Sequence, residues 1–244
     1  MADTNQALAM PVLITSAVHV SSAQTVYCDE QKRLQETLSG LMHWVATPSV
    51  RQVVICDGSG FDFAPALTDL RSAYQHVEIE ALTFTNDIDA VRARGKGYGE
   101  GEIVNHALVH SRILAAAPAF AKCTGKLWVS NFAKCLRGFN GTAAFDYNGK
   151  LTPQFIDTRF YLVDKGFHRD VLAQAYREVD DTSGFYLEHA YQKALASRRL
   201  ADYVMCPTPR IRGVSGSMGV AYQTQGFKAL LRDVRSRLVR GIGI

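Results

Sequence analysis

The chain has 244 residues, of which 47% are hydrophobic and 20% are charged, and its formal net charge is +4. This composition predicts a globular protein with one large domain or two small ones. No apolar run approaches the roughly 18–20 residues of a membrane-spanning helix, and the first residues lack the basic region of a secretory signal. Five scattered cysteines without a C-x-x-C pair favour reduced thiols and a cytoplasmic protein over a disulfide framework or a zinc site.

Strand and helix patterns alternate in the first third of the chain, after a tail at residues 1–10 that we expect to be disordered. Strands are predicted over 11–20, 52–56 and 77–84, and helices over 29–46 and 63–74. This order is typical of an α/β fold with a parallel sheet and right-handed crossovers.

Polar residues follow the first two predicted strands. Ligands of such sheets bind beyond the carboxyl ends of the strands, so we expect Thr15, Ser16 and Asp57 near one binding site. Asp57 either accepts a hydrogen bond from a base or a ribose, or orders the turn Asp57-Gly58-Ser59-Gly60, since that sequence is good turn chemistry.

A glycine-rich stretch, RGKGYGEGEIVNHALVHS, covers residues 94–111. We predict a loop at its alternating glycines, followed by a helix over 102–117. Glycine lets backbone amides approach a ligand, a helix start favours phosphate, and Lys96 adds a positive charge. The stretch matches neither G-x-G-x-x-G nor a Walker loop. The alternatives are a loop for a nucleotide diphosphate or sugar, and a flexible turn before a helix.

The rest of the chain continues the mixed pattern without a linker that divides it. Strands are predicted over 122–132, 153–163 and 203–206, a hairpin over 138–150, helices over 167–179, 185–199 and 227–239, and a glycine-serine loop over 207–219.

Charged residues stand out in this second half. Asp157 and Arg159 lie inside an apolar strand, where charges are costly unless they are paired or bind a ligand. Asp157 could hold a metal or a sugar hydroxyl and Arg159 a phosphate, or the two could form a structural pair. Glu188, with His189 beside it, is a candidate general base, although a carboxylate at a helix start is also favoured by the helix dipole.

The loop over 207–219 carries two arginines and precedes a basic helix. Arg210, Arg212, Ser215 and Gly216 could form a phosphate clamp or an acceptor loop, or belong to an ordinary surface loop. The helix after it is amphipathic and basic, so it either lies on an anionic membrane surface or packs on its own domain. Nucleic acid is not an expected partner.

Taken in order, several segments resemble small bacterial nucleotide-sugar glycosyltransferases of the GT-A type, from surface-polysaccharide (lipopolysaccharide O-antigen or capsule) clusters. They are PVLITSAVHV, Arg33-Leu34 with the helix to Trp44, VVICDGSGFDF, KGYGEGE, KCTGKLWVSN, DTRFY, FYLEH and GVSGSMG. The resemblance implies one GT-A-like domain over 11–244, with a Rossmann-type mixed sheet flanked by helices. Its nucleotide half would cover about 11–132, its acceptor half about 133–222, and its basic helix 223–240.

The resemblance also implies roles for individual residues. Thr15 and Asp57 fall where base and ribose are held, and the segment 96–100, with Gly97, Gly99 and Glu100, falls where the donor is contacted. Related segments read Thr-Gly-Arg where this chain has Thr-Gly-Lys, ending at Lys126; lysine keeps the charge but loses the bidentate geometry.

The main departure from the resemblance is the missing Asp-x-Asp motif. Ser130-Asn131 sits where that acidic pair is often found, which leaves open a requirement for Mn²⁺ or Mg²⁺. Either Asp157 supplies a metal ligand, or lysine and arginine neutralise the leaving diphosphate.

The predicted function is transfer of a sugar from a nucleotide-sugar donor to a glycan or lipid-linked acceptor, in the cytoplasm and peripherally at the inner membrane. Glu188, with Asp157 behind it, is the expected base, and Lys96, Arg159, Arg210 and Arg212 are candidates to stabilise the leaving charge. We expect these groups to enclose a single cleft. The alternatives are a sugar nucleotidyltransferase and a non-catalytic member of an assembly complex.

Overall fold

Four apolar strands of the first half of the chain form the parallel part of the main sheet. The computed structural model describes residues 10–20, 28–149, 153–215, 219, 221–223 and 226–241. The strands are β1 (Val12–Ser16), β2 (Gln52–Asp57), β3 (Glu78–Thr83), β4 (Ala119–Thr124), β5 (Leu127–Val129), β6 (Ala143–Gly149), β7 (Pro153–Asp164), β8 (Ile211–Val214) and β9 (Ala221–Gln223).

The six-stranded sheet has the order β3-β2-β1-β4-β7-β6, and a smaller sheet has the order β5-β8-β9. Strands β1 to β4 pair in parallel, whereas β7 is antiparallel to β4 and β6 is antiparallel to β7. Because β1 lies between β2 and β4, the carboxyl ends of these three strands meet at one edge of the sheet.

Helices cover both faces of this sheet. They are α1 (Glu30–Val45), α2 (Thr68–Ala73), α3 (Ile88–Arg94), α4 (Lys96–His110), α5 (Arg112–Ala116), α6 (Phe132–Arg137), α7 (Lys165–Phe167), α8 (Leu187–Ala194) and α9 (Gly226–Gly241). Shorter helical turns cover Pro65–Leu67, His168–Leu172, Ala175–Glu178 and Leu200–Tyr203.

Each face of the sheet has its own apolar core. Helix α1 places Leu41 and Trp44 on one face, and the Trp44 indole donates to the backbone oxygen of Leu127 at 2.9 Å. On the other face α4 contributes Ile103 and α8 contributes Tyr191. The predicted α/β class, with a mixed sheet flanked by helices, is therefore confirmed.

The structure differs from the sequence prediction at several segments. In place of the predicted strand over 203–206, Val204 forms a single bridge with Phe145. The predicted strand over 122–132 is split, because Gly125 donates to the Thr15 oxygen at 2.7 Å and Lys126 adopts a φ of 72°. The chain turns there, so β5 joins the smaller sheet. The predicted helix over 167–179 is instead a series of short helical turns.

Two further predictions concern thiols and membranes. All five cysteines are free, and burial raises the pKa of Cys56, Cys123 and Cys135 to about 12. Over the described ranges, no helix has both the length and the apolar character needed to cross a membrane. Residues 1–9 of the predicted tail lie outside the described residues, and the boundaries proposed within the domain stay a prediction.

Candidate functional site

A cleft with a volume of about 140 Å³ opens at the carboxyl ends of β1, β2 and β4. This first cleft is lined by the ends of β1 and β4, the turn after β2, and the start of α4. Six residues predicted to bind the donor line it: Thr15, Ser16, Lys96, Gly99, Glu100 and Lys126. Its position is the one expected for ligands of a parallel sheet.

A second cleft, with a volume of about 460 Å³, lies against β7 and the C-terminal helix. Its lining residues are Tyr147, Phe155, Asp157, Arg159, Glu188, Arg232 and Arg235. The predicted single cleft is therefore wrong in one respect: Lys96 lines the first cleft, whereas Asp157 and Glu188 line the second.

The alternation of β7 explains which of its residues reach the second cleft. Phe155, Asp157 and Arg159 are partly exposed and line it, whereas Ile156 and Thr158 between them are buried. Successive side chains of a strand point to opposite faces. Strand β7 thus contributes one face to the second cleft and the other to the interior.

A buried ion pair between Lys122 and Glu100 borders the first cleft. The Lys122 side chain is fully buried, and its ammonium binds the Glu100 carboxylate, the Thr124 hydroxyl at 2.9 Å and the Thr158 backbone oxygen at 2.8 Å. The same Glu100 oxygen accepts from Thr124 at 2.8 Å and from Thr15 at 3.3 Å. Burial alone would raise the pKa of Glu100, but the charge and hydrogen bond of Lys122 hold it below its ordinary value.

Glu188 stands at the first turn of α8, beside the same network. Its carboxylate accepts a hydrogen bond from the Thr158 hydroxyl at 2.7 Å. Burial raises the pKa of Glu188 above its ordinary value, although the hydrogen bond from Thr158 opposes this shift. A carboxylate whose pKa is raised in this way holds a proton more readily, which suits a general base. Glu188 also opens onto the second cleft.

Asp157 and Arg159 form a close ion pair on the wall of the second cleft. The Arg159 guanidinium donates to both carboxylate oxygens, with Nε at 2.9 and 3.0 Å, and its backbone N–H donates to Asp157 at 2.9 Å. The guanidinium also lies over the Tyr222 ring, 4.6 Å from its centroid. Of the two interpretations of these charges, the geometry favours the structural pair over metal ligation by Asp157.

The predicted glycine loop is wrong, since α4 begins at Lys96 and includes Gly97, Gly99 and Gly101. A β-carbon on Gly101 would lie 2.1 Å from the Tyr176 β-carbon, and one on Gly99 would lie 2.6 Å from the Asn86 amide. The glycines therefore serve close packing of the helix, and the closest contacts are with residues distant in the chain.

The amino end of α4 is occupied by an acidic side chain. The Asp181 carboxylate accepts from the Gly97 N–H at 3.1 Å, and Gly95, with a φ of 99°, leaves no room for a β-carbon beside it. Burial raises the pKa of Asp181. The anion predicted at this helix start is thus the protein's own carboxylate, although Lys96 and Gly99 still line the first cleft.

Asp57 is fully buried below the first cleft. Its carboxylate accepts from the N–H groups of Val18, Ser59 and Phe61 at 3.1, 2.8 and 3.2 Å, and from the Ser59 hydroxyl at 2.6 Å. It orders the loops after β1 and β2, as the turn interpretation expected, and Gly58 and Ser59 line the cleft in its place.

The remaining predicted residues line neither cleft. The Asn131 side chain donates to the Thr208 oxygen at 3.0 Å and accepts from the Arg210 N–H at 2.7 Å. Arg210 pairs with Asp233 of α9 at 2.5 Å.

Two of these predicted residues lie in other structural positions. Arg212 lies in β8, paired with Trp128. His189 accepts from the Tyr186 N–H at 3.0 Å and caps α8. Ser215 is buried, and Gly216 lies outside the described residues.

Sequence reasoning missed two cations that the structure places beside the first cleft. Lys122 lies inside the apolar strand AFAKCT, where the same argument that singled out Asp157 and Arg159 applies. Arg33 of α1 lines the cleft and donates to the Ala17 and Val18 oxygens. No local signal distinguishes Arg33 from the other charges of its helix.

The donor set of the first cleft does not fit a divalent cation. Glu100 is the one carboxylate among the described residues that line it, and the oxygen that faces Lys122 is already shared by an ammonium and two hydroxyls. Mg²⁺ and Mn²⁺ prefer carboxylate, carbonyl and water oxygens. Throughout the described part of the chain, no group of three His, Cys, Asp or Glu residues could hold a metal ion.

Comparison with known proteins places the fold. No protein-family model matches the sequence, and no curated protein sequence matches it. Among solved structures, core-mannan synthase A from Aspergillus fumigatus in its Mn/GDP form matches with a TM-score of 0.50 and 8% identity, over 95% of this chain and 84% of that chain.

Two other solved structures show a similar arrangement. The WbbM bifunctional glycosyltransferase matches with a TM-score of 0.49 and 10% identity over 97% of this chain, which spans 45% of the WbbM chain. The 4-diphosphocytidyl-2C-methyl-D-erythritol synthase from Anaerococcus prevotii matches with a TM-score of 0.45 and 8% identity, over 96% of this chain and all of that chain. At 8% identity, the likeness to core-mannan synthase A is one of fold alone.

Proposed function

We propose that this protein is a glycosyltransferase that moves a sugar from a nucleotide-sugar donor to a glycan or lipid-linked acceptor in bacterial surface-polysaccharide synthesis. The observation that carries the proposal is the pair of clefts joined by one polar network, in which Thr158 contacts both Lys122 and Glu188. A two-substrate transfer requires two binding sites linked at a reactive group, and Glu188 of the second cleft is linked through Thr158 to Lys122 beside the first.

The first cleft is the proposed donor site. Thr15 and Ser16 at the end of β1 offer hydroxyls to a base or ribose, while Lys96 and Lys126 offer positive charge to phosphates. Asp57 shapes this site from below.

The second cleft is the proposed acceptor site. Arg159, Arg232 and Arg235 line it, and Arg235 also lies over the Tyr147 ring, 4.9 Å from its centroid. Arginine binds phosphate and carboxylate through its planar array of donors. This surface suits an acceptor that carries an anionic group, such as the phosphates of a lipid-linked glycan.

Glu188 is the proposed base of an inverting transfer. The acceptor hydroxyl oxygen forms a bond to the anomeric carbon of the sugar, and the bond from that carbon to the leaving phosphate breaks. The hydroxyl proton passes to the Glu188 carboxylate, and the nucleotide leaves with the electron pair. Positive charge at the first cleft stabilises the developing negative charge on the leaving phosphate.

Helix α9 is the proposed contact with an anionic membrane surface. Its outward side chains Leu230, Leu231, Val234 and Leu238 are 58, 55, 47 and 48% exposed. Lys228 and Arg237 are exposed on the same helix. An apolar stripe flanked by basic residues is the pattern of helices that lie in the interface of anionic membranes. This would hold the enzyme peripherally at the inner membrane.

The function is tested by ligand binding and by product analysis. A thermal-shift panel of nucleotides and nucleotide sugars should show a higher melting temperature with the preferred donor, because a ligand of the folded state stabilises it. Release of a nucleoside diphosphate or monophosphate with an acceptor glycan would support sugar transfer. Release of pyrophosphate from a nucleoside triphosphate and a sugar phosphate would favour the sugar nucleotidyltransferase, and absence of turnover with a bound donor would favour a non-catalytic role.

A further inference from the structure

The turn that carries Lys126 is fixed by close backbone packing. The preceding Gly125 donates to the Thr15 oxygen, and a β-carbon on Gly125 would lie 2.6 Å from that oxygen. From β8, a β-carbon on Gly213 would lie 2.0 Å from the Lys126 oxygen, and from α1, one on Gly40 would lie 3.2 Å from the Lys126 carbonyl carbon. Three elements therefore hold this residue in place.

Lys126 also adopts a strained backbone conformation. Its φ of 72° makes it the one described residue other than glycine with a positive φ. That conformation is uncommon for a side chain of this kind, and such residues cluster at ligand-binding sites. Asparagine or glycine would fit the turn with less strain, so the backbone alone does not call for lysine.

Lys126 lines the first cleft and is only 5% exposed. Among the described residues, no carboxylate forms an ion pair with its ammonium. A buried ammonium without an anionic partner is costly. Lys122, which is also buried, has such a partner in Glu100, whereas Lys126 has no carboxylate partner among the described residues.

The electrostatic surroundings of Lys126 also favour an anionic ligand. Burial, reinforced by the positive charge of Arg33, lowers the pKa of Lys126 to about 7, although the negative charges of Glu36 and Asp57 oppose the shift. The other charged or titratable groups that line the same cleft are His19, Lys96 and Glu100. An anion placed beside Lys126 would favour its charged form.

We propose that Lys126 supplies the positive charge that holds the phosphates of the nucleotide ligand, in place of a divalent cation. The inference rests on the proposed nucleotide-binding role of the first cleft. It follows from two observations: the Glu100 carboxylate of that cleft is already bound by Lys122, and the rigidly held Lys126 forms no ion pair with a carboxylate of the described residues. Phosphate binding therefore proceeds without metal and takes up a proton at Lys126.

The test is calorimetry in the presence of EDTA, with inorganic pyrophosphate and with UDP and GDP as separate probes. Wild-type protein is expected to bind pyrophosphate and at least one nucleotide without metal. Lys126→Met should weaken both about 10- to 100-fold, the range of a hydrogen bond to a charged group. Lys126→Arg should retain most of the affinity, and Lys193→Met, at an exposed lysine paired with Glu178, should retain all of it.

Proton uptake gives a second readout that a loss of folding cannot imitate. At pH 7.5, in buffers of different ionisation enthalpy, the wild type should take up more protons on binding than Lys126→Arg, which stays charged throughout. The affinity of the wild type should also fall more between pH 6.5 and pH 8.5. The Arg variant corrects for the ionisation of the phosphates themselves.

Several results would overturn the proposal. Among them are binding that requires Mn²⁺ or Mg²⁺, equal affinity of a folded Lys126→Met variant, and equal proton uptake by the wild type and the Arg variant. Failure of the wild type to bind any of the three probes would also overturn it. Suppose that pyrophosphate binds without metal and in a Lys126-dependent manner, and that UDP and GDP bind no more tightly than pyrophosphate. That result would support the role of Lys126 in phosphate binding and would count against the proposed nucleotide-sugar function instead.

Discussion

Lys122 and Glu188 are bound to opposite ends of one residue. The Lys122 ammonium donates to the backbone oxygen of Thr158 at 2.8 Å, and the Thr158 hydroxyl donates to the Glu188 carboxylate at 2.7 Å. The cation beside the first cleft and the carboxylate of the second are therefore separated by a single amino acid. Chemistry that couples the two clefts would occur at this point.

Glu188→Gln is expected to lower the turnover number at least a hundredfold while leaving nucleotide binding nearly intact. The amide cannot accept the acceptor proton, and general acid–base groups typically contribute 10²–10⁴-fold. Steady-state kinetics and calorimetry measure the two effects separately. Glu178→Gln, at an exposed carboxylate paired with Lys193, is the matched control. Unchanged turnover of the Glu188 variant would remove this residue from the role of base.

Lys96→Ala is expected to weaken nucleotide binding. The residue lines the first cleft at the start of α4, where its charge adds to that of Lys126. A tenfold loss corresponds to about 1.4 kcal/mol. Calorimetry with the preferred nucleotide measures the change, and Lys32→Ala, an exposed lysine of α1, serves as the control. Equal affinity of the Lys96 variant and the wild type would reject the assignment.

Gly101→Ala is expected to destabilise the fold by about 1–3 kcal/mol, the usual cost of overpacking a core. The added methyl would lie 2.1 Å from the Tyr176 β-carbon, which cannot move without its backbone. Alanine favours a helix over glycine by only up to about 1 kcal/mol, so the clash dominates.

Denaturant unfolding measures the free energy for Gly101→Ala and for its control. Gly241→Ala places a methyl where nothing lies within 4 Å, and it should leave stability unchanged or slightly raised. If Gly101→Ala were instead stabilising, close packing would not explain the glycines of α4, and the result would favour the loop interpretation.

The free energy of unfolding is expected to fall as the pH is lowered from about 6.5 to about 4, in part because of His168. Both ring nitrogens of this histidine are buried without a hydrogen-bond partner among the residues that the structure describes, and burial lowers its pKa to about 4. Its folded pKa lies below its unfolded value, so the unfolded state binds the proton first and stability is lost as the pH falls. The slope reaches about 1.4 kcal/mol per pH unit.

His168→Leu isolates this effect, because it removes the proton but keeps an apolar side chain beside Phe120. Urea unfolding at pH 7.5, 6, 5 and 4.5 should show a smaller loss of stability for the variant than for the wild type. Parallel pH profiles of the two proteins would mean that His168 does not titrate in this window.

Helix α9 is expected to bring the protein to anionic vesicles. Co-sedimentation should be strong with phosphatidylglycerol-rich vesicles, weak with phosphatidylcholine vesicles, and reduced by salt, because the charges involved are exposed. The double variant Leu230→Ser, Leu231→Ser should lose binding, whereas Met42→Ser, which removes a similarly exposed apolar side chain from α1, should not.

Other outcomes would assign a different role to the exposed face of α9. If the same double variant abolished a concentration-dependent dimer in light scattering, and vesicles of neither composition were bound, α9 would be an interface between two copies of the chain. Equal binding to both kinds of vesicle would argue against a role for its basic residues.

The elements that sequence predicts well are those whose signals are local. Helix α1 follows Asp29, whose side chain accepts from the Lys32 N–H at 3.0 Å, and its apolar spacing is helical throughout. Strands β1 and β2 are short apolar runs rich in β-branched residues. The position of the first cleft follows from these strands alone, since ligands bind at their carboxyl ends.

The sequence-based predictions fail where the role of a residue depends on contact with a residue distant in the chain. Alternating glycines predict a loop, yet Gly101 is required by Tyr176 and Gly95 by Asp181, residues about 75–86 positions further on. No pattern within the glycine stretch contains that information. Likewise, the contacts of Lys122 with Glu100 and Thr158 join residues 22 and 36 positions apart, so they arise only in the assembled fold.

The alternation of partly exposed and buried residues along β7 affects which substitutions could change the second cleft without changing the interior. Substitutions at Phe155, Asp157 and Arg159 would alter the lining of the second cleft, while Ile156 and Thr158 continue to hold the interior and the polar network. Residues that line the second cleft therefore alternate along one strand with residues that maintain the fold. A combinatorial library at those three positions would explore new specificities if Asp157 and Arg159 were varied together, because the two form an ion pair.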